Sequence, residues 1–156
     1  MSFYFSPIEP TSGGLVWGVG PSLLIPTATD ELLGSEQWAA GPSFVVLKKS
    51  NRWTFGAIAT HHWSFAGDDS RHSVHQTSLQ PFVAYTTSTH TTFGLTSESE
   101  YEWESSEWIV PIDLTVSQLV EFDGYHAEFE LGARWYAEAP EEDADWGLLA
   151  GVTFLF

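Results

Sequence analysis

Arg134 is nearly isolated as a cation among carboxylates. Read with period two, its segment places Glu128, Glu130 and Arg134 on one side, and neighbouring segments place Gln80, Glu98, Glu100 and Asp113 on the matching side. A guanidinium facing carboxylates makes bidentate, charge-assisted hydrogen bonds that fix geometry as well as contribute energy. Three kinds of chemistry fit such a cluster. It can fasten a packed polar interior, constrict a water-filled path, or pair two carboxylates for acid–base work. The last finds no accompanying nucleophile or metal motif, so the chain is not read as an enzyme, and no cofactor or metal site is expected.

Turn chemistry decides which of these residues meet. A turn at 104–107 predicts Trp103 opposite Trp108, and hence Glu98 opposite Asp113. The Asp123-Gly124 turn predicts Phe122 opposite Tyr125, and hence Asp113 opposite Arg134. Pairing Tyr85 with Phe93 sets Gln80 beside Glu98. Residues opposite each other in antiparallel strands have Cβ atoms ~4.5–5.5 Å apart. The expected result is one row across four strands: Gln80, Glu98, Asp113, Arg134.

The elements that must carry this row are strands. Alternation and turn residues predict them at about 14–27, 37–49, 52–66, 74–87, 90–103, 108–122, 125–138 and 146–156, with 1–13 as an N-terminal extension to a 14–156 domain. The opposite parity is apolar, and it holds all eight tryptophans: Trp17, Trp38, Trp53, Trp63, Trp103, Trp108, Trp135 and Trp146. A soluble barrel turns its apolar side inward, where eight indoles would not fit. An apolar, Trp-rimmed exterior around a polar interior is what a bilayer requires of a closed sheet. The expected fold is therefore all-β: an antiparallel up-and-down transmembrane β-barrel of eight strands in a bacterial outer membrane. Tight turns at Lys49-Ser50-Asn51, Ser88-Thr89-His90 and Asp123-Gly124 would mark the periplasmic end, and longer loops the outer one. Trp38, Trp63, Trp103, Trp108, Trp135 and Trp146 then form an outer aromatic belt, with Trp17 and Trp53 in the inner one.

Charge constrains the partners. The net charge is −16, with 21 acids against five Lys and Arg, which argues against nucleic acid. Eight acids point inward: Glu98, Glu100, Glu102, Asp113, Glu121, Glu128, Glu130 and Glu138. Arg134 is their one strong partner, with His62 and His126 as weak ones. Such carboxylates must be hydrated, protonated or cation-bound, which predicts a wet lumen with a cation preference. The alternative is a second copy or further strands that supply basic groups. Leu24, Val45, Leu47, Phe82, Leu149 and Leu155 give the interior an apolar side. Acids in the outer-end segments (Asp30, Glu31, Glu36, Asp68, Asp69, Glu104, Glu107, Glu141, Glu142, Asp143 and Asp145) match no spaced metal loop and read as a solvated rim beside lipid and lipopolysaccharide. His61 and His62 point to opposite faces and make a poor chelate, and Ser64 has the wrong parity to serve His61 as a nucleophile. No stretch approaches the ~20 apolar residues of a spanning helix. Cysteine is absent, which fits an envelope protein. The opening Met1-Ser2-Phe3-Tyr4-Phe5-Ser6-Pro7 lacks a basic start followed by an apolar run. An exported barrel needs such a leader, so a mature form or a piece of a longer product is expected.

The runs Gly14-Leu-Val-Trp-Gly-Val-Gly-Pro21, Leu24-Ile-Pro-Thr-Ala-Thr-Asp30, Trp38-Ala-Ala-Gly-Pro42 and Trp53-Thr-Phe-Gly56 resemble a known family. So do His62-Trp-Ser-Phe-Ala-Gly-Asp68, Gln80-Pro-Phe82, Ser97-Glu-Ser99 with Trp103, Gly132-Ala-Arg-Trp-Tyr136 and Asp145-Trp-Gly147. The chain is similar, over roughly residues 10 to 156, to the outer-membrane transporter family named for the meta-pathway of phenol degradation. The resemblance implies an outer-membrane β-barrel with a role in uptake of aromatic or other small hydrophobic compounds. Family members are longer, with a signal peptide and further strands upstream.

Overall fold

A computed structural model describes residues 1–26, 37–67, 73–122, 125–139 and 145–155. The described residues form an all-β structure with one antiparallel sheet of nine strands. These are β1 (Leu15–Leu24), β2 (Gln37–Ser50), β3 (Trp53–Gly67), β4 (His75–Thr86), β5 (Thr91–Ser97), β6 (Ser99–Glu102), β7 (Glu107–Phe122), β8 (Tyr125–Glu138) and β9 (Trp146–Leu155). Each strand pairs with the next in sequence, with β5 and β6 sharing the place between β4 and β7. The expected count of eight is corrected to nine because the segment expected at 90–103 is interrupted at Glu98. Among the described residues no pairing joins β9 to β1.

Asn51, His90 and Ser106 adopt positive φ of 54°, 60° and 60°. This left-handed conformation is rare outside glycine and is tolerated in tight turns. It lets the chain reverse between β2 and β3, between β4 and β5, and between β6 and β7.

The predicted division of faces is present throughout. All eight tryptophans are exposed, from 42% at Trp17 to 66% at Trp146. The only buried hydrophobic residues among those described are Ala39, Val74 and Ala127, and the largest fully buried side chain is that of Ser43. Burial of apolar side chains at about 25 cal/mol per Å² is the usual source of stability, and the described residues contain no such core. Cohesion comes from the backbone ladder and from polar contacts on the other face.

Residues 1–5, part of the expected N-terminal extension, pair with the sheet. They run antiparallel along the free edge of β1. Phe3 donates its N–H to the Pro21 carbonyl (3.0 Å), Phe5 exchanges bonds with Val19 (2.9 and 3.0 Å), and Leu23 donates to the Met1 carbonyl (2.8 Å). This strap follows the same alternation. Ser2 and Tyr4 turn to the polar face, where they bond to Ser22 and Ser43, while Met1, Phe3 and Phe5 are exposed.

Glycines within the strands lie on the polar face, and two of them show why. A Cβ on Gly20 would overlap the Phe3 carbonyl oxygen of the strap, and one on Gly41 would overlap the His61 carbonyl oxygen. At Gly147 on β9 a Cβ would meet nothing within 4 Å. Gly41→Ala is therefore expected to cost about 1–3 kcal/mol or more through overpacking, whereas Gly147→Ala should change stability by less than about 0.5 kcal/mol. Urea titration of the detergent-refolded protein, read by tryptophan fluorescence, measures both. Equal effects of the two substitutions would contradict the packing described.

Candidate functional site: a polar row across the sheet

The Asp113–Arg134 pair forms as the turn chemistry predicts. β7 and β8 are in register with Phe122 opposite Tyr125 and Asp113 opposite Arg134. Arg134 Nε donates to Asp113 Oδ1 at 2.7 Å and Arg134 Nη2 to Oδ2 at 2.6 Å, a bidentate clamp. Asp113 is buried, with 7% of its surface exposed. A carboxylate so placed is tolerable only because both oxygens are occupied.

Gln80 also meets Glu98 as expected, donating Nε2–H to Oε1 at 2.8 Å. The register between the fifth segment and β7 differs from expectation by two residues. Trp108 pairs with Tyr101 rather than Trp103, and Asp113 lies opposite Thr96 rather than Glu98. The cause is the turn: Glu102 pairs with Glu107, so the reversal begins one residue earlier on each side. A two-residue shift preserves the face of every side chain, and a long guanidinium spans the offset. Arg134 Nη2 reaches Glu98 Oε2 at 3.3 Å. The row Gln80–Glu98–Arg134–Asp113 is therefore connected, with arginine between the two acids.

The remaining predicted lumen acids share this face but join the network less. Glu128 accepts the Ser117 hydroxyl at 2.5 Å, and Glu100 accepts that of Ser78 at 3.4 Å. Glu130 is exposed and makes no hydrogen bond or ion pair among the described residues. His126 lies 3.9 Å from Glu121. Among the described residues no group of three or more His, Asp and Glu is placed to hold a metal ion. The outer-end acids Asp30, Glu31, Glu36, Asp68, Asp69, Glu141, Glu142 and Asp143 lie outside the described residues.

A second polar cluster escaped the sequence reading. On the β1–β3 part of the polar face, Ser2 bonds to Ser22 (2.9 Å) and Ser22 to His62 Nε2 (2.9 Å). Beside it, Tyr4 bonds to Ser43 (2.8 Å) and Ser43 to Thr60 (2.7 Å). His62, expected as a weak partner of the lumen acids, is engaged by the Ser22 hydroxyl instead. The available signal was parity: Ser22, Ser43, Thr60 and His62 share the polar side, and Ser2 and Tyr4 alternate with Phe3 and Phe5.

The outward face carries a run of rings. Centroids are 4.0 Å apart for His61–Trp63, 5.2 Å for His61–His75, 5.6 Å for His75–Trp103, 5.0 Å for Tyr101–Trp103 and 4.8 Å for Tyr101–Trp108. Trp103 donates its indole N–H to Thr77 Oγ1 (2.8 Å), which also bonds to His61 Nδ1 (2.7 Å). His61 and His62 thus point to opposite faces, as parity predicts.

Searches of family models, curated proteins and solved structures return no match for this chain.

Removing Arg134 leaves Asp113 buried without its clamp. Arg134→Ala should cost roughly 2–3 kcal/mol, the scale for hydrogen bonds to a charged group plus the penalty of an unpaired acid. Asp113→Asn should cost less, because Arg134 keeps Glu98 and its side chain is 26% exposed. Combining both changes should give less than the sum. A double-mutant cycle in urea measures the coupling, and strict additivity would show that the pair is not coupled.

Proposed function

We propose that the chain is an outer-membrane β-barrel, or a wall of one, acting as a passive pore for small molecules. The observation that carries this reading is the inverted distribution of side chains. Every indole is exposed on one face, and the acids and the Arg134 network occupy the other. In water such an apolar exterior is a liability. In lipid it is required, with tryptophan rings suited to the headgroup level on both sides.

The polar face then lines the bore. Asp113 is neutralised by Arg134, while Glu98, Glu100 and Glu130 are exposed on that face. Exposed carboxylates around water concentrate cations, so the pore prefers cations, and Arg134, bonded to Asp113 and Glu98, is the cation set among them. The resemblance to the transporter family named for the meta-pathway of phenol degradation points to small hydrophobic solutes as cargo. Outer-membrane lipid and lipopolysaccharide are the surrounding partners.

A second reading is favoured by the open edge of β9. There the chain forms a non-conducting barrel portion that assembles with another copy into a homo-oligomer. A bilayer does not tolerate an unpaired strand edge, and Gly147 faces open space.

In planar bilayers the protein should pass cations in preference to anions. Arg134→Ala should raise cation conductance roughly two- to tenfold, since a lining charge sets the local counter-ion concentration. A conducting pore with conductance unchanged by Arg134→Ala would remove the reading of Arg134 as a lining charge. No conductance, together with a dimer mass in detergent, would favour the second reading. A monodisperse protein in plain buffer with its indoles shielded from aqueous quenchers would overturn both.

A further inference from the structure

The rings at one end of the apolar face form a plate rather than a belt. Register lays them in two adjoining rows. His61, Thr77, Tyr101 and Trp108 stand opposite one another across β3, β4, β6 and β7. Trp63 is opposite His75, and Trp103 donates its backbone N–H to the His75 carbonyl at 2.8 Å, which completes the second row. Ring centroids in contact are 4.0–6.3 Å apart. Tryptophans elsewhere on this face differ. Among the described residues Trp17, Trp38, Trp135 and Trp146 make no ring contact, and Trp53 meets Tyr85 alone. Rings spaced singly around a barrel suffice to hold it at the headgroup level. Six rings in mutual contact exceed that need.

Polar atoms within the plate hold it in place. The Trp103 indole N–H goes to Thr77 Oγ1, and the same oxygen bonds to His61 Nδ1. A tryptophan that only marks the headgroup level offers its N–H to that level. This one gives it to the sheet, which fixes the ring while half of its surface stays exposed. Trp63 and Trp108 are exposed to a similar degree. Two imidazoles lie among the indoles with nitrogen atoms unspent. His61 Nε2 is buried without a partner, and His75 makes ring contacts but no hydrogen bond among the described residues. Neither row contains Lys or Arg.

We propose that the plate is a docking surface for the sugar headgroup of a glycolipid. The inference rests on the membrane reading and deepens it by naming the lipid. Aromatic faces carry the negative side of a quadrupole, which attracts the positively polarised C–H face of a hexose lying flat on them. Hydroxyls at the edge of a hexose give and accept hydrogen bonds, and a neutral imidazole does both. Other headgroups fit less well. A phosphate finds no Lys or Arg among these rings. An ammonium favours indole faces, but two of the six rings are imidazoles, which repel a cation once protonated. An acyl chain has no use for the unspent nitrogen atoms. The sugar is lipid-borne rather than free, because the plate shares its face with exposed Phe65, Leu79 and Leu95, which acyl chains cover in a membrane.

The full chain, refolded in detergent, is mixed with equal amounts of monoglucosyl diacylglycerol, phosphatidylethanolamine and phosphatidylglycerol of identical acyl chains. Native mass spectrometry then counts the lipids it retains. The glucosyl lipid should be kept about fivefold over either phospholipid, the scale of one aromatic contact. Trp63→Leu/Trp103→Leu should abolish the preference, Trp135→Leu should leave it, and free methyl glucoside should not displace the lipid. The unaltered chain is a test in itself, whether or not the double variant folds. Equal retention of the three lipids would reduce the plate to an ordinary belt and overturn the proposal. Preference for phosphatidylethanolamine would put an ammonium over the rings, and preference for phosphatidylglycerol a phosphate; either overturns it. So would equal losses in the two tryptophan variants, or displacement by the free sugar. A chain that stays monodisperse in plain buffer and takes up no lipid would overturn the membrane reading, and the docking surface with it.

Discussion

In an antiparallel sheet successive side chains face opposite sides, and every other feature of this chain depends on that parity being kept. Slipping one strand by a single residue would carry its indoles onto the polar face and its carboxylates onto the apolar one. No apolar core opposes such a slip, since the described residues bury almost no large hydrophobic side chain. Register must therefore be held by the turns and by polar contacts that work at one offset only. The two-pronged Asp113–Arg134 contact is the strongest of these, because a guanidinium fork matches a carboxylate in one geometry. Its position on β7 and β8 also fixes which neighbours Glu98 and Glu128 can reach.

The polar face is divided according to what each group tolerates. Its β1–β3 part is built from neutral groups, with Ser22, Ser43, Thr60 and His62 linked to Ser2 and Tyr4 of the strap. Hydroxyls can be buried once bonded, at a desolvation cost of about 1–3 kcal/mol that one partner offsets, and Ser22 and Ser43 are buried to 3% and 0% exposure. Its β5–β8 part carries the carboxylates, whose burial without a counter-charge costs several kcal/mol each. Asp113 is buried there with its clamp, and Glu98, Glu100 and Glu130 stay exposed. The same chemistry explains why the strap packs against the first part: Ser2 and Tyr4 would find no comparable hydroxyl partners among the carboxylates.

Legibility of the sequence follows from how locally each feature is determined. Strand positions and faces were readable because the alternation is long and the turns are short. The Asp113–Arg134 contact was readable because Asp123-Gly124 leaves little freedom in the hairpin that precedes Arg134. The offset of Glu98 from Asp113 was not, since the acidic turn after Glu102 can start at either of two places without changing parity. Ser106 at positive φ selects between them, and nothing in its residue type announces that. The strap was missed because five residues are too few for a convincing period, and its partners lie fourteen and more positions away. The break at Glu98 was missed for a related reason. Pro81 and Pro111 are thirty residues apart, and only the registers bring them opposite the adjacent residues Ser97 and Glu98.

The two ends of the sheet pose a question that energetics can order. The eight spans, counting β5 and β6 as one, alternate in direction, so β9 runs antiparallel to β1. The strap, antiparallel to β1, runs the same way as β9. Closure through the strap would thus be a parallel pairing over five residues, whereas closure through β1 would be antiparallel over up to ten. The second requires the strap to leave, with loss of its backbone bonds and of the contacts of Ser2 and Tyr4. In water these terms nearly balance, because each exchanged hydrogen bond nets only about 0.5–1.5 kcal/mol. In a bilayer an unpaired backbone group costs several kcal/mol, and the balance moves toward whichever arrangement leaves fewer groups unpaired. In a bilayer that would be the longer ladder, while among the described residues the strap covers the β1 edge.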